Sequence, residues 1–383
     1  MRLLHVLPSL KESYGGPLRL VIDLSARARA EGVQSEIAGV NKLEVRSNPL
    51  PASVFHCFSG GNEAGYAYSQ ALWAWLLAHV RKYDAVAIHG AWHFPGWSAH
   101  VACLKHQIPY AYFPHGMLER WAVKGQGVMK RAKKKLYWRF REGHIANSAT
   151  KLFFTTHKEE ELTRSTFAIT APSDILSVYG IDDVTPAEMV SELEGQFSAD
   201  ARIALFLSRL HPKKNLPFLL QCWRDAKVPA PWILVIAGSG EPGYETHVRE
   251  LARDYGLGGQ VRFMGFVSGQ EKSWLLHRAE WFLLPSSQEN FGIAVLEAVA
   301  HNCAVAITDR VYLSESFRPG SVVLPLEADA WVKFLRGQFQ DLEFRNQTAA
   351  ADHAHLLKSF RMDLIVQRWA SAFRNLCGAP VVV

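Results

Sequence analysis

An α/β architecture, with two doubly wound parallel-sheet domains in one chain, follows from three features of the sequence. Short apolar runs alternate with longer helical stretches, the alternation restarts after residue 200, and 383 residues exceed one core of ordinary size. A 49% hydrophobic content with 20% charge suits a globular chain with substantial cores. The net charge of +6 fits an anionic partner: nucleic acid, anionic lipid or a phosphate-bearing ligand. Five cysteines are scattered, with no CxxC or other metal-ligand spacing, which reads as a reduced, cytoplasmic chain. The opening MRLLHVLPSLKES has too short an apolar run for a signal peptide and reads as a first strand.

In the first half, LLHVL, VQSEIAGV, DAVAIHG, PYAYFPHG and KLFFTT read as strands, with helices at 17–31, 66–82, 94–106, 128–142 and 157–166. The apolar stretch 66–80 is too short to span a bilayer and carries Ser69, Gln70 and His79, so it reads as a helix packed on a sheet. In the second half, ARIALFLSRL, WILVIAGSG, QVRFMGF, EWFLLPSS and CAVAITD read as strands. Helices at about 214–227, 243–256, 269–278, 292–301 and 312–317 separate them. The polar, acidic segment 184–200 lacks a strand pattern and marks the boundary: residues 1–183 form the first domain and 184–361 the second. The final helix, about 362–383, is expected to cross back onto the first domain. Strand carboxyl ends of both domains are expected to open toward a shared cleft.

Candidate chemistry lies at those carboxyl ends. SRLHPKKN follows the first strand of the second half, and its Arg209 and Lys214 form a fork and a point charge suited to a diphosphate. An ordinary solvated loop accounts for them equally well. Gly238, in GSG after the next strand, allows close backbone approach to a ligand or simply a turn; no dinucleotide fingerprint is present. In SSQENFGIAVLEAVA, Glu289 lies in a loop, Phe291 and Gly292 begin a helix, and Glu297 lies within it. Backbone N–H groups at that helix start favour anionic or hydroxyl oxygens, and the carboxylates accept from sugar hydroxyls. Glu297 sits among IAVL and AVA, where a carboxylate needs a partner.

PSSQENFGIAVLE resembles the E-x7-E motif of glycosyltransferase family 4, whose members have the GT-B fold. SRLHPKKN is similar to that family's R-x4-K clamp, VYGIDD to its segment before the hinge, and HVLPSLKESYGGPLRLV to its Gly-rich first loop. The resemblance spans residues 5–297 in the family's order. It implies that Arg209 and Lys214 bind the donor diphosphate, that Glu289 binds the transferred sugar beside the Phe291 and Gly292 N–H groups, and that Glu297 binds the nucleotide ribose. It further implies transfer with retention, from a UDP- or GDP-sugar, without a metal cofactor. The Gly15–Gly16 loop then faces a ligand, and His115, in PHGM, contacts the donor sugar. His89 and His93, in HGAWHF, end a strand and lack a third ligand for zinc; cleft contacts fit them better, with Trp92 as a sugar-stacking face.

Residues 125–142, with seven basic residues before the first acid and Tyr137, Trp138 and Phe140 among them, read as a surface for anionic membrane or lipid diphosphate. A solvated helix is the plain alternative, and no nucleic-acid motif accompanies the run. The subgroup resemblance implies a glycan or polyprenyl-linked acceptor, bacterial surface polysaccharide synthesis and a cytoplasmic, peripheral position on the inner membrane face. Competing readings are a soluble sucrose- or trehalose-type transferase, a nucleotide-sugar epimerase of the same architecture, and a non-catalytic sugar- or nucleic-acid-binding module.

Overall fold

Strands covered by helices on both faces read as near-continuous apolar runs, and the computed structural model follows that rule. It describes residues 1–378 apart from 12–15, 46–47, 61–64, 120–126, 183, 185–192 and 194. The chain divides into Met1–Tyr179 with Asp363–Val383, and Gly180–Met362. The division falls a few residues before 183/184 because Ile181 belongs to the second unit's own backbone ladder. Its N–H donates to Phe360 O, and its carbonyl accepts from Met362 N–H, both at 2.8 Å.

The first unit holds β1 (Arg2–Leu7), β2 (Gln34–Val40), β3 (Phe55–Phe58), β4 (Ala85–His89), β5 (Tyr110–Phe113), β6 (Lys151–Phe154) and β7 (Ser173–Ile175). All pair in parallel, in the order β3-β2-β1-β4-β5-β6-β7. Alternate residues Val6, Val86, Ile88, Tyr112 and Phe154 join one buried cluster with Leu72 and Leu76 of the helix Gln70–His79 and Ala99 and Ala102 of Phe94–His106. Ser69 starts the former by accepting from Leu72 N–H at 3.3 Å. Among the described residues no helix is long and apolar enough to cross a membrane. The intervening residues His5, His89, Phe113 and Phe153 take the other face, where Trp369 and Phe373 of the C-terminal helix Met362–Cys377 pack on His5, Phe113 and Phe153.

The basic segment forms the helix Gly127–Tyr137 and then a π-helical turn, Trp138–Glu142, in place of one continuous helix. That turn delivers Glu142 into the core, 1% exposed, where it accepts from Tyr112 Oη at 2.5 Å and Trp92 N–H at 2.8 Å. Burial outweighs those hydrogen bonds and pushes its carboxyl from 4.5 up to about 7. The folded chain therefore takes up a proton below about 7 that the unfolded chain takes up only below 4.5. The charged form burdens folding fully above the upper value and not at all below the lower one. Glu142→Gln is expected to raise the thermal midpoint at pH 8 relative to the parent and to lose that advantage at pH 4, in paired melts at the two pH values.

The second unit holds β8 (Arg202–Leu207), β9 (Trp232–Ala237), β10 (Val261–Gly265), β11 (Trp281–Leu284), β12 (Ala304–Thr308) and β13 (Val322–Leu324). They pair in parallel, in the order β10-β9-β8-β11-β12-β13. Its core is aromatic: Phe339 meets Trp232, Trp281 and Trp223 at ring-centroid distances of 4.2, 5.9 and 5.7 Å. Burying each such side chain contributes on the order of 2–3 kcal/mol. Two of the three indoles have their polar ends satisfied, Trp281 Nε1 donating to Phe339 O at 3.1 Å and Trp232 Nε1 to Gln340 Oε1 at 2.8 Å, whereas Trp223 Nε1 has no partner among the described residues. The helices Ala328–Arg336 and Leu342–Phe360 and the strands β3, β7 and β13 went unassigned in the sequence. The strands are three or four residues long, too short for a period to show.

Candidate active site

β8 and β11 are neighbours, and the winding of the second unit reverses between them, so loops leaving their carboxyl ends diverge around a natural ligand position. The loop after β8 carries Arg209, exposed, and the 3-10 turn Pro212–Lys214. His211 organises that turn: its Nδ1 accepts from Lys213 N–H at 3.2 Å and its carbonyl from Lys214 N–H at 2.8 Å. Asn215 then takes the left-handed region (φ +56°), which asparagine tolerates, and the helix Leu216–Ala226 begins.

The loop after β11 is tied to that turn. Both the N–H and the hydroxyl of Ser287 donate to Lys213 O, at 2.8 and 3.1 Å. Two residues on, Glu289 N–H donates to Arg310 O and its carbonyl accepts from Tyr312 N–H, each at 3.0 Å, anchoring it to the loop after β12. Held from both sides, the Glu289 carboxylate forms an ion pair with the Lys214 ammonium. Sequence positions 75 apart thus converge. Arg209 lies close enough to act electrostatically on both Lys214 and His211, and among the described residues no ion pair or hydrogen bond holds its guanidinium.

Burial, then repulsion from Arg209 and Lys213, pushes Lys214 down to about 8. The touching Glu289 carboxylate acts in the opposite direction, so the ammonium remains charged at neutral pH. Three cations against one carboxylate leave the loop pair electropositive, a setting that an oxyanion relieves.

Gly292 opens the helix Ile293–Ala300 at φ +88°, and a Cβ there would stand 3.1 Å from Val311 Cγ1 and 3.4 Å from Glu289 Cγ. Phe291 is 3% exposed and packs edge-on against Phe360 at 5.8 Å, so only its backbone can face a ligand. Gly238 has φ +138°, and a Cβ on it would overlap the Ser208 carbonyl oxygen. The absent side chain lets the β9 and β8 loops lie backbone to backbone, with Ser208 N–H donating to Ala237 O at 3.1 Å. Gly238 thereby shapes the Arg209 loop. Glu297 has the partner its surroundings demand: Lys272 Nζ, from the helix Gly269–Arg278, at 2.6 Å. It is not joined to Glu289 or Lys214.

In the first unit, Gly15 lies outside the described residues, and Gly16 is the exposed first residue of the helix Gly16–Ala28. His115 and Gly116 both adopt left-handed backbone, φ +51° and +75°. Glu159, fully buried, holds this turn: it accepts from Gly116 N–H at 2.6 Å and, through its other oxygen, from Thr155 N–H at 2.8 Å and Thr155 Oγ1 at 2.6 Å. The sequence contained a trace of it, the T-x-x-E spacing of a helix start at Thr156, but no sign that the carboxylate turns toward residue 116. His5, Lys272 and Ser287 likewise acquire roles only through residues distant in sequence. His89 is 4% exposed and lines a small cavity with Leu7, Ser9 and Met117, while His93 directs Nδ1 to Gly65 O at 3.1 Å. Trp92 is not an open stacking face: Lys134 Nζ sits 5.0 Å above its ring, and its Nε1 donates to Met117 O at 2.8 Å.

Comparison with known proteins agrees with this geometry. Residues 15–173 match the "Glycosyl transferase 4-like domain" family model and residues 193–351 the "Glycosyl transferases group 1" model. O-antigen chain mannosyltransferase B of Escherichia coli is 27% identical over 198 residues, 50% of this chain and 51% of that protein, so the chain spans about half the length of this relative. GDP-mannose:cellobiosyl-diphosphopolyprenol alpha-mannosyltransferase of Xanthomonas campestris is 24% identical over 318 residues, 81% of this chain and 79% of that one. In fold, the chain resembles Anabaena Alr3699/HepE, solved with UDP and glucose, with a TM-score of 0.76 at 15% identity over 98% of this chain and 100% of the other. The two family models occur in order and the loops at both switch-point strands carry the expected side chains: the chain belongs to glycosyltransferase family 4 and has the GT-B fold.

Proposed function

We propose that the protein is a retaining glycosyltransferase that moves a hexose from a UDP- or GDP-sugar to a polyprenyl-linked glycan during bacterial surface polysaccharide synthesis. The observation that carries this reading is the meeting of Lys214 and Glu289, with Arg209 beside them, at the carboxyl ends of β8 and β11. The family membership and the names of the two relatives support the donor class and the lipid diphosphate acceptor.

The chemistry follows from the charges. Arg209 and Lys214 bind the donor diphosphate and stabilise the negative charge that grows on it as the sugar–oxygen bond breaks. Because Lys214 is already paired, the incoming phosphate displaces the Glu289 carboxylate, which then accepts from hydroxyls of the transferred sugar. The Phe291 and Gly292 backbone stands beside that position, and Asn290 Oδ1, buried with no partner among the described residues, is a further acceptor. Glu297, at 31% exposed, exchanges Lys272 for the ribose diol. His115 adds a contact to the substrate. A front-face exchange, in which the leaving phosphate takes the acceptor's proton, requires no general base and no metal, so transfer persists in EDTA. Screening UDP- and GDP-sugars for donor hydrolysis, followed by transfer to butanol-extractable lipid against free sugars, tests the reading. Transfer to free sugars alone would replace the lipid acceptor with a small one, and no response to any nucleotide sugar would remove the enzyme.

The basic segment is the proposed membrane contact. Met129, Leu136 and Phe140 are exposed, at 86%, 60% and 59%, beside the exposed Lys133 and Lys135. Each lysine near an anionic surface contributes about 1 kcal/mol, so the double variant Lys133→Ala/Lys135→Ala is expected to bind phosphatidylglycerol vesicles about 30-fold more weakly. Co-sedimentation at low and high salt measures this; equal binding by both proteins would dismiss the surface.

A further inference from the structure

Three histidines stand on three adjacent strands of the first sheet. His5 lies within β1, His89 ends β4, and His115 follows β5 by two residues. His5 Nδ1 is 2.9 Å from His89 Nε2, and His89 Nδ1 is 3.0 Å from His115 Nε2. The ring centroids are 5.2 and 5.3 Å apart, with planes only 26° and 14° from parallel. Imidazoles whose facing nitrogens are at hydrogen-bond distance reach that centroid separation only edge to edge. The three rings therefore form a nearly flat ribbon, each lone pair aimed at the next ring's N–H. A tetrahedral metal bridging two rings would hold the nitrogens about 3.3 Å apart, so the shorter spacings of 2.9 and 3.0 Å describe hydrogen bonds.

His5 and His89 are 1% and 4% exposed, and burial lowers all three rings, His5 to about 3 and His115 to about 4, so the chain is neutral at pH 7. A neutral imidazole carries one donor and one acceptor, and a row of them must align head to tail. Two alignments exist, and the buried end selects between them. His5 Nε2 has no partner among the described residues. An orphaned buried N–H is rarer in proteins than an under-used acceptor, so Nε2 is the bare nitrogen and the proton sits on Nδ1. His5 then donates to His89, His89 donates to His115, and the outward nitrogen of His115, its Nδ1, carries a proton. Among the described residues no protein group takes it.

We propose that His5 and His89 are positioning residues that lock His115 as the Nδ1–H tautomer, making it an obligatory hydrogen-bond donor to a substrate oxygen. The tautomer itself is a property of the first unit; its use in sugar transfer rests on the function proposed above. The C-terminal helix Met362–Cys377 takes part, because the Trp369 indole packs on the His5 ring, 5.5 Å between centroids and within 10° of parallel. No bond is made or broken by the chain, and no proton leaves it.

The test is long-range ¹H–¹⁵N correlation of the imidazoles in the full-length, ¹⁵N-histidine-labelled protein, alone and as His5→Asp and His5→Asn. The expected wild-type spectrum shows three neutral rings with the His115 proton on Nδ1. His5→Asp presents only acceptor oxygens to His89 Nε2, so the row reverses: His89 donates from Nε2 to the new carboxylate, and His115 donates from Nε2 to His89 Nδ1. Asparagine retains an N–H near the position of Nδ1, and His5→Asn keeps the wild-type pattern. In transfer assays, His5→Asp lowers kcat about tenfold with KM little changed, equivalent to one lost hydrogen bond, and His5→Asn stays near wild type. A wild-type His115 protonated on Nε2 overturns the proposal even if no variant folds, as does an unchanged His115 tautomer in His5→Asp. An inactive wild type with the Nδ1–H pattern in place overturns the functional reading and leaves the tautomer lock standing.

Discussion

Replacing Lys214 with alanine is expected to lower kcat/KM about a thousandfold while the chain stays folded. A preorganised cation aimed at the charge developing on a leaving diphosphate is worth about 10²–10³ in rate when it acts in a water-poor setting. On the proposed function Lys214 is such a group: only 18% of its side chain is exposed, and its turn is fixed by His211 and Ser287. Removing it also strands Glu289, another 18% exposed side chain, without a counter-charge. That adds a stability cost of about 1–3 kcal/mol. The two effects separate in a double-mutant cycle. Lys214→Ala/Glu289→Ala should be more stable than Lys214→Ala alone, because no carboxylate is left unpaired, yet no more active. Thermal melts read the stability, and calorimetry with UDP and GDP and donor turnover read nucleotide affinity and activity. Transfer by Lys214→Ala within tenfold of wild type would remove Lys214 from the diphosphate site, whatever the melts show.

Gly238→Ala is expected to cost about 3–5 kcal/mol and to disable the donor site together, although Gly238 carries no functional group. A methyl group there overlaps the Ser208 carbonyl oxygen and stands 2.9 Å from its carbon, so backbone and not a flexible side chain has to yield. The backbone itself, at φ +138°, is strained for any residue with a Cβ. Relief moves Ser208, and Arg209 is the next residue. The variant should therefore lose nucleotide affinity in step with its loss of thermal stability. Gly243→Ala, a site where a Cβ meets nothing within 4 Å, serves as the control and should melt near wild type. A Gly238→Ala protein that melts like wild type would show that the two loops are not in backbone contact. One that is destabilised yet binds nucleotide normally would show that Arg209 does not depend on that contact.

These expectations also mark how far the chain could be read in one dimension. Arg209 and Lys214 are five residues apart in one turn, and Glu289, Gly292 and Glu297 fall within nine residues of each other, so their spacing was visible as motifs. Gly238 was visible as a glycine after a strand, but whether it faced a ligand or a neighbouring backbone was not. The answer, the Ser208 carbonyl, lies thirty residues earlier. Glu297 was correctly placed among apolar neighbours in need of a partner, and that partner, Lys272, comes from the preceding helix. Trp92 was judged by its chemistry as a sugar platform; Lys134 covers it because a helix 42 residues later packs there.

Periodicity was enough for the two parallel sheets, and motif spacing carried the family resemblance and put Arg209, Lys214 and Glu289 just past strand ends, because apolar period, glycine and charge spacing are local properties written along the chain. Register and packing decided the rest. Which acid meets Lys214, which carboxylate supports the His115 turn, and that His5, His89 and His115 share one ribbon of hydrogen bonds all depend on which strands are neighbours. In a parallel sheet every such neighbour is separated by a crossover, so contacts across strands join positions tens of residues apart and leave no period for a linear reading to find.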